Sequence, residues 1–324
     1  MTGIAIIGAG VAGATAAASL QRDGYQVTVF DKSRGSGGRI SSRQTLAGTV
    51  DHGTPYFELT RPETALFVQP ALAAGALKWW QPRMVQSGPA GAVLREEVKK
   101  VLVGYPAMSS FTRFLLQQVD LVLQARITSA VRTVDGWTLQ SEEGQLYSGF
   151  DQLIITTPPQ QALPLLQESP VLQHQVWPAA MECSWVAVVQ SDQGTAVPFE
   201  VALFETGTLC RAVRHDAKPG RSCGTVWQLQ ASPAWSQQYQ ELPKETVASV
   251  LVEAARVAAL EIPDQHQAWA HRWLYGFTAR SLDLPFLFDA AAGLGVCGDW
   301  LLGRTVEDAI HSALQLAATL KEQK

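Results

Sequence analysis

The sequence predicts an α/β protein in which a parallel β-α-β unit opens the chain and an α+β part of mainly antiparallel strands is inserted later. Two observations predict this fold class. A strand-like run, a glycine-rich turn and an alanine-rich helix follow one another at the start, and short apolar or alternating runs fill the middle of the chain. With 324 residues, 47% hydrophobic and 17% charged, the chain has enough apolar material for two domains.

The composition excludes several classes of protein. A net charge of −4 argues against a nucleic acid as partner, because nucleic-acid binders normally carry a basic excess. No apolar run reaches the roughly 18 residues of a membrane span, and the first residues form a strand-like run without a basic leader, so we expect no membrane association and a cytoplasmic location. The cysteines are far apart, which predicts small buried side chains and neither a metal site nor a dithiol centre: Cys183, Cys210, Cys223 and Cys297.

The first motif is a glycine turn between a strand and a helix. An apolar strand over residues 4–7 leads into Gly-Ala-Gly-Val-Ala-Gly at 8–13, and a helix follows over 12–22. A second strand, 26–30, then ends at Asp31. All parts of a Rossmann-type dinucleotide-binding unit therefore occur in order, which makes the motif specific.

Each residue of this turn has a separate expected role. Gly8 allows the tight turn, Gly10 lets the backbone approach a pyrophosphate, and Gly13 permits close packing of helix on strand. The N–H groups of Val11 and Ala12, at the positive end of the helix dipole, face the phosphates.

The residues after the second strand favour FAD over NAD. Asp31 is placed to accept hydrogen bonds from ribose hydroxyls, and its charge disfavours the 2′-phosphate of NADP. Lys32 then begins a glycine-rich turn that ends at Gly38 and Arg39, where an NAD dehydrogenase would continue into its next helix. A guanidinium there predicts a second phosphate clamp, with a flexible basic loop as the alternative.

These residues resemble the flavin-containing amine oxidase superfamily. The glycine motif, Asp31 and Gly37-Gly38-Arg39 are similar to its start, and Asp51 to Phe57 matches its D-x-G-x-x-Y/F segment. Near the other end, Gly298-Asp299 and residues 303–310 match its C-terminal motif. Within the superfamily, the short chain and His271-Arg272-Trp273 are most similar to the bacterial renalase family; residues 165–265 match only in general character.

The resemblance implies a fold of two domains that are discontinuous in sequence. The FAD domain would comprise residues 1–60, 101–161 and 276–324, and the substrate domain residues 61–100 and 162–275. FAD would be bound non-covalently, because Trp300-Leu301-Leu302 stands where some amine oxidases have a flavin-linked cysteine. Further flavin contacts are expected from both ends and the middle of the chain: Pro55, Tyr56, Ile127, Thr157, Gly298, Asp299, Thr305 and Val306.

Three of these contacts follow from local chemistry. Asp299 can accept a hydrogen bond from a ribityl hydroxyl, and the N–H groups of Thr305 and Val306 at the start of a helix can face flavin N1 and O2, where reduced flavin is negative.

The resemblance also implies an activity. A 2- or 6-dihydro isomer of β-NAD(P)H would pass a hydride to flavin N5, leaving β-NAD(P)+, and O2 would be reduced to hydrogen peroxide. No catalytic side chain is expected, because oxidation of a dihydropyridine regains aromaticity and the cofactor carries the chemistry. Aromatic side chains are the candidates for the substrate walls: Phe57, Trp185, Trp273 and Trp300.

Two other functions share the same motifs. A flavin oxidase of a small amine has every FAD feature described above, and a non-catalytic flavoprotein that senses redox state would have them too.

Three further stretches carry structural predictions. Residues 104–120 have apolar side chains at helical spacing, and a second amphipathic helix is expected from Pro243 to Leu260. The basic stretch from Arg211 to Arg221 predicts a solvent-exposed hairpin turn, or a patch that steers a phosphate-bearing substrate. His52 is not expected to act in catalysis.

Overall fold

The computed structural model describes residues 2–45, 48–88, 93–221 and 224–322. In chain order its strands, β1 to β20, are Gly3–Ile7, Gln26–Phe30, Ser42–Thr45, Gly48–Asp51, Leu77–Trp80, Arg83–Ser87, Val93–Val98, Val101–Gly104, Asp120–Val122, Ile127–Thr133, Gly136–Ser141, Leu146–Phe150, Gln152–Ile155, Ala180–Ser191, Val201–Phe204, Leu209–Arg214, Thr225–Ala231, Gln267–Arg280, Leu287–Asp289 and Leu294–Val296. Its helices, α1 to α9, are Val11–Arg22, Pro62–Phe67, Gln69–Ala73, Ser110–Leu115, Pro159–Ala162, Pro170–Val176, Pro233–Gln238, Lys244–Val257 and Val306–Glu322.

The first large sheet has the strand order β19-β20-β13-β1-β2-β9. Strand β1 lies between β2 and β13 and is parallel to both, and only β19 runs antiparallel to its neighbour. Ile4 and Ile6 of β1 belong to one apolar core and Ala5 and Ile7 to another, so the sheet is buried on both faces. Helix α1 packs beside α9 on the first of these faces.

The second large sheet is mainly antiparallel, with the order β18-β14-β17-β16-β15-β6-β7. One face is covered by α8, whose Val247 and Leu251 pack in a core with Trp185 and Trp227. The opposite face bears more polar side chains and is turned towards residues 49–57. The predicted fold class, a parallel dinucleotide-binding sheet with an inserted antiparallel part, is confirmed.

The expected helix over residues 104–120 is wrong in its length. Val101–Gly104 is a buried strand that pairs with β5, and the helix there is only Ser110–Leu115. Pro106 separates the two, because proline lacks the N–H that a helix interior needs. The other expected helix is Lys244–Val257.

The first stretch of the expected substrate domain is divided between the two parts of the fold. Phe67 and Ala71, in α2 and α3, belong to the core beside α1 and α9, whereas β6 and β7 join the antiparallel sheet. Strand β18 of that sheet extends to Arg280, beyond the boundary expected at 275.

The structure also bears on membrane spans and on the cysteines. Among the described residues no helix is both long and apolar enough to span a membrane. Cys183 and Cys297 are buried and Cys210 is partly buried, whereas Cys223 lies outside the described residues. Burial raises the pKa of the Cys297 thiol to about 12, so this side chain stays a neutral thiol.

Candidate dinucleotide site and the facing sheet

The glycine turn between β1 and α1 is closely packed except at one residue. Gly8 has a φ of +113°, and a Cβ on Gly13 would lie 1.9 Å from the carbonyl oxygen of Gly8. A Cβ on Gly10 would meet nothing within 4 Å. Gly10 is also the N-cap of α1 and makes no side-chain cap, so the first N–H groups of this helix, including those of Val11 and Ala12, lie beside that open space.

A second loop lies directly against this turn. The N–H of Gly37 donates to Ala9 O at 2.9 Å, and a Cβ on Gly38 would lie 3.3 Å from the Cα of Gly10. Asp31, at the end of β2, accepts from the N–H of Ala9 at 2.7 Å and from that of Ser33 at 2.8 Å. The expected phosphate-binding and ribose-binding residues are therefore adjacent, and Asp31 also holds the turn in place.

Arg39 joins the first and last motifs of the chain. Its Nη1 and Nη2 donate to the two carboxylate oxygens of Asp299 at 2.7 and 2.5 Å. Its carbonyl oxygen accepts from the N–H of Thr54 at 2.8 Å and would lie 2.0 Å from a Cβ on Gly53. Asp299 thus engages two of the five N–H donors of the guanidinium, and the phosphate clamp stays a prediction for the remaining donors. Asp299 keeps lone pairs for a further donor.

Thr157 follows β13 at the same edge of the sheet. Its Oγ1 is buried without a hydrogen-bond partner among the described residues, and its Cγ2 would lie 3.6 Å from a Cβ on Gly8. Of the other expected contacts, Ile127 is buried at the start of β10, and Lys32 is exposed after β2. Pro55 is buried.

The start of α9 differs from the expectation for Thr305. The N–H and hydroxyl of Thr305 both donate to Asp308 Oδ2, at 3.0 and 2.7 Å, and the N–H of Asp308 donates back to Thr305 Oγ1 at 3.0 Å. This reciprocal cap occupies the Thr305 N–H, so that group is not free to face a flavin. The Thr-x-x-Asp spacing could have revealed the cap. Val306 is the first helical residue and is buried, and Gly298 donates its N–H to Ser312 Oγ at 2.9 Å.

Three of the four expected substrate walls are buried elsewhere. Trp185 lies in the core under α8, Trp300 donates its indole N–H to Thr157 O at 3.1 Å within a second core, and Phe57 pairs with Leu102 and stacks on Phe111. Trp185 and Trp300 are each only 1% exposed. These expectations are wrong: Trp185 lies on the α8 side of its strand, because alternate residues of a strand point to opposite faces, whereas Phe57 and Trp300 lie outside the antiparallel sheet and pack in two other cores.

Trp273 remains as a candidate wall. Its indole N–H donates to His52 O at 2.8 Å, and its ring stacks on the His52 imidazole with centroids 5.3 Å apart and an interplanar angle of 21°. His271 lies edge-on to both rings. Burial, followed by the nearby His271 and Arg43, lowers the pKa of His52 to about 4. The imidazole is therefore neutral at pH 7.

A polar row that the sequence reasoning missed crosses the same face of the antiparallel sheet. Arg211 Nη2 donates to Gln230 Oε1 at 2.6 Å, and Gln230 Nε2 is 3.2 Å from Ser184 Oγ. Ser184 is directly opposite Trp273 in the sheet. In the neighbouring row, Gln228 Nε2 donates to Gly53 O at 2.5 Å. This face of the sheet is therefore turned towards Gly53, whose backbone lies against the Arg39 carbonyl group.

Behind this turn lies a buried charge cluster. Asp51 Oδ2 is 2.7 Å from Arg221 Nη2, 3.1 Å from Lys218 Nζ and 3.4 Å from His215 Nδ1, with side chains between 0 and 1% exposed. The N–H of Met108 also donates to Asp51 Oδ1 at 2.9 Å. The prediction of a solvent-exposed hairpin is therefore wrong for His215 and Lys218, whose side chains are buried against Asp51 at the end of β4.

The titration of the cluster follows from burial and charge. Burial alone would raise the pKa of Asp51, but Lys218 and the other cations hold it well below its usual range. Burial lowers the pKa of Lys218 to about 8 and that of His215 to about 3, against the opposing effect of Asp51. The cluster at pH 7 is thus an anion with two cations and a neutral imidazole.

We expect acid to destabilise the fold through His215. Between its ordinary pKa of 6.5 and its folded value of about 3, the unfolded chain binds a proton that the folded chain does not. The free energy of unfolding should therefore fall as the pH drops below 6.5, by about 1.4 kcal/mol per pH unit from this group. Urea unfolding at pH 7, 6 and 5 measures it. His215→Gln should reduce this slope, and the exposed His174→Gln should not; an equal slope in both variants would contradict the assignment.

The residues present fit a bound dinucleotide. Gly10 leaves open space at an uncapped helix N-terminus, the Thr157 hydroxyl lacks a partner, and Asp31 stands at the end of the second strand. Along the sheet edge the ribose acceptor follows β2, the phosphate cradle follows β1 and the free hydroxyl follows β13, so the cradle lies between the other two, as an extended dinucleotide requires.

Comparison with known proteins agrees with this geometry. The family model for NAD(P)-binding Rossmann-like domains matches residues 6–69. Among solved structures, a putative protoporphyrinogen oxidase from Exiguobacterium sp. 255-15 superposes with a TM-score of 0.75 at 11% identity, covering 100% of this chain and 99% of the other. The chain has an amine-oxidase-like fold. Wild-type putrescine oxidase bound to putrescine gives a TM-score of 0.69 at 13% identity and 98% coverage of both chains. An oxidoreductase from Methanosarcina mazei gives 0.72 at 11% identity, covering 98% and 100%.

In the amine-oxidase-like fold of this chain, the dinucleotide turn, Arg39–Asp299 and Gly53 are brought together between the two sheets, with Trp273 and Gln228 reaching across from the antiparallel one. Trp273, stacked on His52, thus lies directly next to the contact between Arg39 and Gly53.

Proposed function

We propose that this chain is a flavin-dependent oxidase of the renalase type, with non-covalently bound FAD, that converts 2- or 6-dihydro isomers of β-NAD(P)H to β-NAD(P)+. Bound FAD would supply the redox chemistry, accepting the hydride at N5 and passing two electrons to O2 to give hydrogen peroxide. One observation carries the proposal: Arg39, Gly53 and Asp299 meet beneath Trp273 and His52, two stacked flat groups.

The chain's own residues would hold the cofactor. The N–H groups at the start of α1 would bind the pyrophosphate next to Gly10, Asp31 would accept from the ribose, and Asp299, oriented by Arg39, would accept from the ribityl chain. The Thr157 hydroxyl would find the partner that it lacks.

The groups that face the turn would position the substrate without exchanging protons. His52 is neutral at pH 7, burial also lowers the pKa of His271, and Gln230 and Ser184 do not ionise. Loss of a hydride from a dihydropyridine regains aromaticity and leaves no proton to remove. An amine, in contrast, must first lose a proton from its cationic form. Because the pKa of His52 is lowered to about 4 and that of His271 is lowered as well, both neutral imidazoles are weak bases, and these surroundings favour the dihydropyridine over the amine.

Anaerobic mixing of the purified flavoprotein with defined substrates tests the proposal. We expect 2- or 6-dihydro-NAD to bleach the flavin absorbance near 450 nm rapidly (roughly complete within seconds, since typical turnover rates are about 10 per second). Readmission of O2 should restore the colour with formation of hydrogen peroxide. Putrescine and ordinary β-NADH, which is the 4-dihydro isomer, are the matched controls and should bleach the flavin far more slowly.

Other outcomes would contradict the proposal in distinct ways. Bleaching by putrescine but not by the dihydropyridine isomers would make the chain an amine oxidase. Bleaching by dithionite alone would favour a redox-sensing flavoprotein. Flavin that stays with the protein after acid precipitation would contradict non-covalent binding.

A further inference from the structure

The polar row of the antiparallel sheet ends at an arginine without an acidic partner. Arg211 lies in β16, and its Cζ is 5.3 Å from the centroid of the Tyr56 ring, in the segment that follows Gly53. Its hydrogen-bond partner, the Gln230 amide, is neutral, and no carboxylate of the described residues lies within ion-pair distance of it. Arg214 on the opposite side of the same strand, in contrast, pairs with Asp216 at 2.9 Å.

The neighbourhood of Arg211 makes this lack of an anion more pronounced. Lys218 and Arg221 are buried nearby and share the single carboxylate of Asp51, and the positive charge of Arg211 is one of the causes that lower the pKa of Lys218. Three cations against one anion leave an excess of positive charge around Arg211. In a partly buried site such an excess attracts an anion more strongly than it would in water.

We propose that Arg211 forms an anion subsite that binds a phosphate of the nucleotide substrate, away from the reacting ring. This inference rests on the proposed function and assigns Arg211 to the phosphates that its dinucleotide substrate carries. Gln230 orients the guanidinium by accepting from one Nη, which leaves the rest of its donors for phosphate oxygens. The polar row then leads from Arg211 through Gln230 and Ser184 to Trp273, where the ring would lie.

A neutral aromatic or a cationic ligand would not need this arrangement. A small amine would be repelled by Arg211, and a ligand consisting of the ring alone would leave the guanidinium without an anion. Arg211 therefore selects among ligands by charge, and its contribution should be seen in binding rather than in chemistry.

Calorimetric titration of the holoenzyme measures the subsite without depending on turnover. The probes are β-NAD+, which carries two phosphates, and nicotinamide riboside, which carries none. Arg211→Gln should raise the Kd for β-NAD+ about 10- to 100-fold, the effect of losing a charge-assisted hydrogen bond, and the Kd for the riboside by less than about twofold. Arg211→Lys keeps the charge but loses the planar fork, so it should retain part of the affinity for β-NAD+.

Arg256→Gln is the matched control for the change in net charge. Arg256 lies on α8, which covers the opposite face of the sheet, and its one ion pair among the described residues is with the exposed Asp264 at 3.2 Å. It should leave both Kd values unchanged. The Kd for β-NAD+ should also rise with salt concentration more steeply in the wild type than in Arg211→Gln.

The outcomes separate this inference from the proposed function. An equal loss of affinity for β-NAD+ and the riboside would overturn the subsite and make Arg211 a structural residue. Unchanged affinity for β-NAD+, or no binding of β-NAD+ to the wild type, would overturn it as well. If Arg211→Gln weakens β-NAD+ alone while no dihydropyridine bleaches the flavin, the anion subsite stands and the proposed reaction fails.

Discussion

Asp51→Asn is expected to lower the free energy of unfolding by about 3–5 kcal/mol, the cost of leaving buried charges without their partner. Asp51 is the only carboxylate within ion-pair distance of Lys218 in the described part of the chain, and both side chains are 0% exposed. Asparagine has nearly the same shape and can still accept from the Met108 N–H, so the loss measures charge rather than packing.

Denaturant unfolding of the purified variants at pH 7 measures this effect. Asp264→Asn is the control: it also removes a carboxylate from an ion pair, but the Asp264 side chain is 102% exposed. It should change the free energy of unfolding by at most about 1 kcal/mol. Adding Lys218→Met to Asp51→Asn removes one uncompensated cation and should recover part of the loss. Equal stability of Asp51→Asn and Asp264→Asn would show that the cluster is not held by charge.

The cluster also explains why the two parts of the fold meet at a defined place. Lys218 and Arg221 lie in the connection between β16 and β17, whereas Asp51 ends β4, one residue before His52. The ion pairs therefore fix the antiparallel sheet against the turn whose carbonyl groups accept from Trp273 and Gln228. A shift of this connection would move the polar row relative to the dinucleotide site.

The dinucleotide unit could be predicted from the sequence because its signals are local. The strand, turn, helix and second strand at residues 3–30 differ from the structure by no more than one residue at each end. Each boundary depends on glycines or on a short apolar run, and these act within a few positions of the chain. The helix expected over residues 104–120 is too long for two reasons: Gly104 belongs to a strand that pairs with β5, which is not a local signal, and the expectation overlooks Pro106, which is a local signal.

The facing sheet could be predicted only in outline. Trp185 and Trp273 both lie in strands, and nothing in their sequence neighbourhoods assigns one to the core and the other to the site, since alternation is informative only when one face is exposed. The ion pair of Asp51 with Lys218 joins positions 167 residues apart, and neither residue type indicates burial. Such contacts are set by the topology of the strands that carry them.

Gly10→Ala is expected to weaken FAD binding by at least about 100-fold while changing the free energy of unfolding by no more than about 1 kcal/mol. A Cβ on Gly10 would meet nothing within 4 Å, so the folded chain itself accommodates alanine. The added methyl group would instead project into the space that the pyrophosphate must enter to reach the N–H groups of α1.

Gly13→Ala provides the contrast, since its Cβ would lie 1.9 Å from Gly8 O and force α1 away from β1. That variant should lose stability by about 1–3 kcal/mol and FAD affinity together. Thermal unfolding of the apoproteins and fluorescence titration with FAD measure the two quantities separately. Loss of affinity without loss of stability in Gly10→Ala, and loss of both in Gly13→Ala, is the result that a phosphate cradle requires. If Gly10→Ala bound FAD as tightly as the wild type, the open space beside that residue would not be the pyrophosphate site. The proposed placement of FAD, with its pyrophosphate at the start of α1 and its ribityl chain at Asp299, would then be wrong.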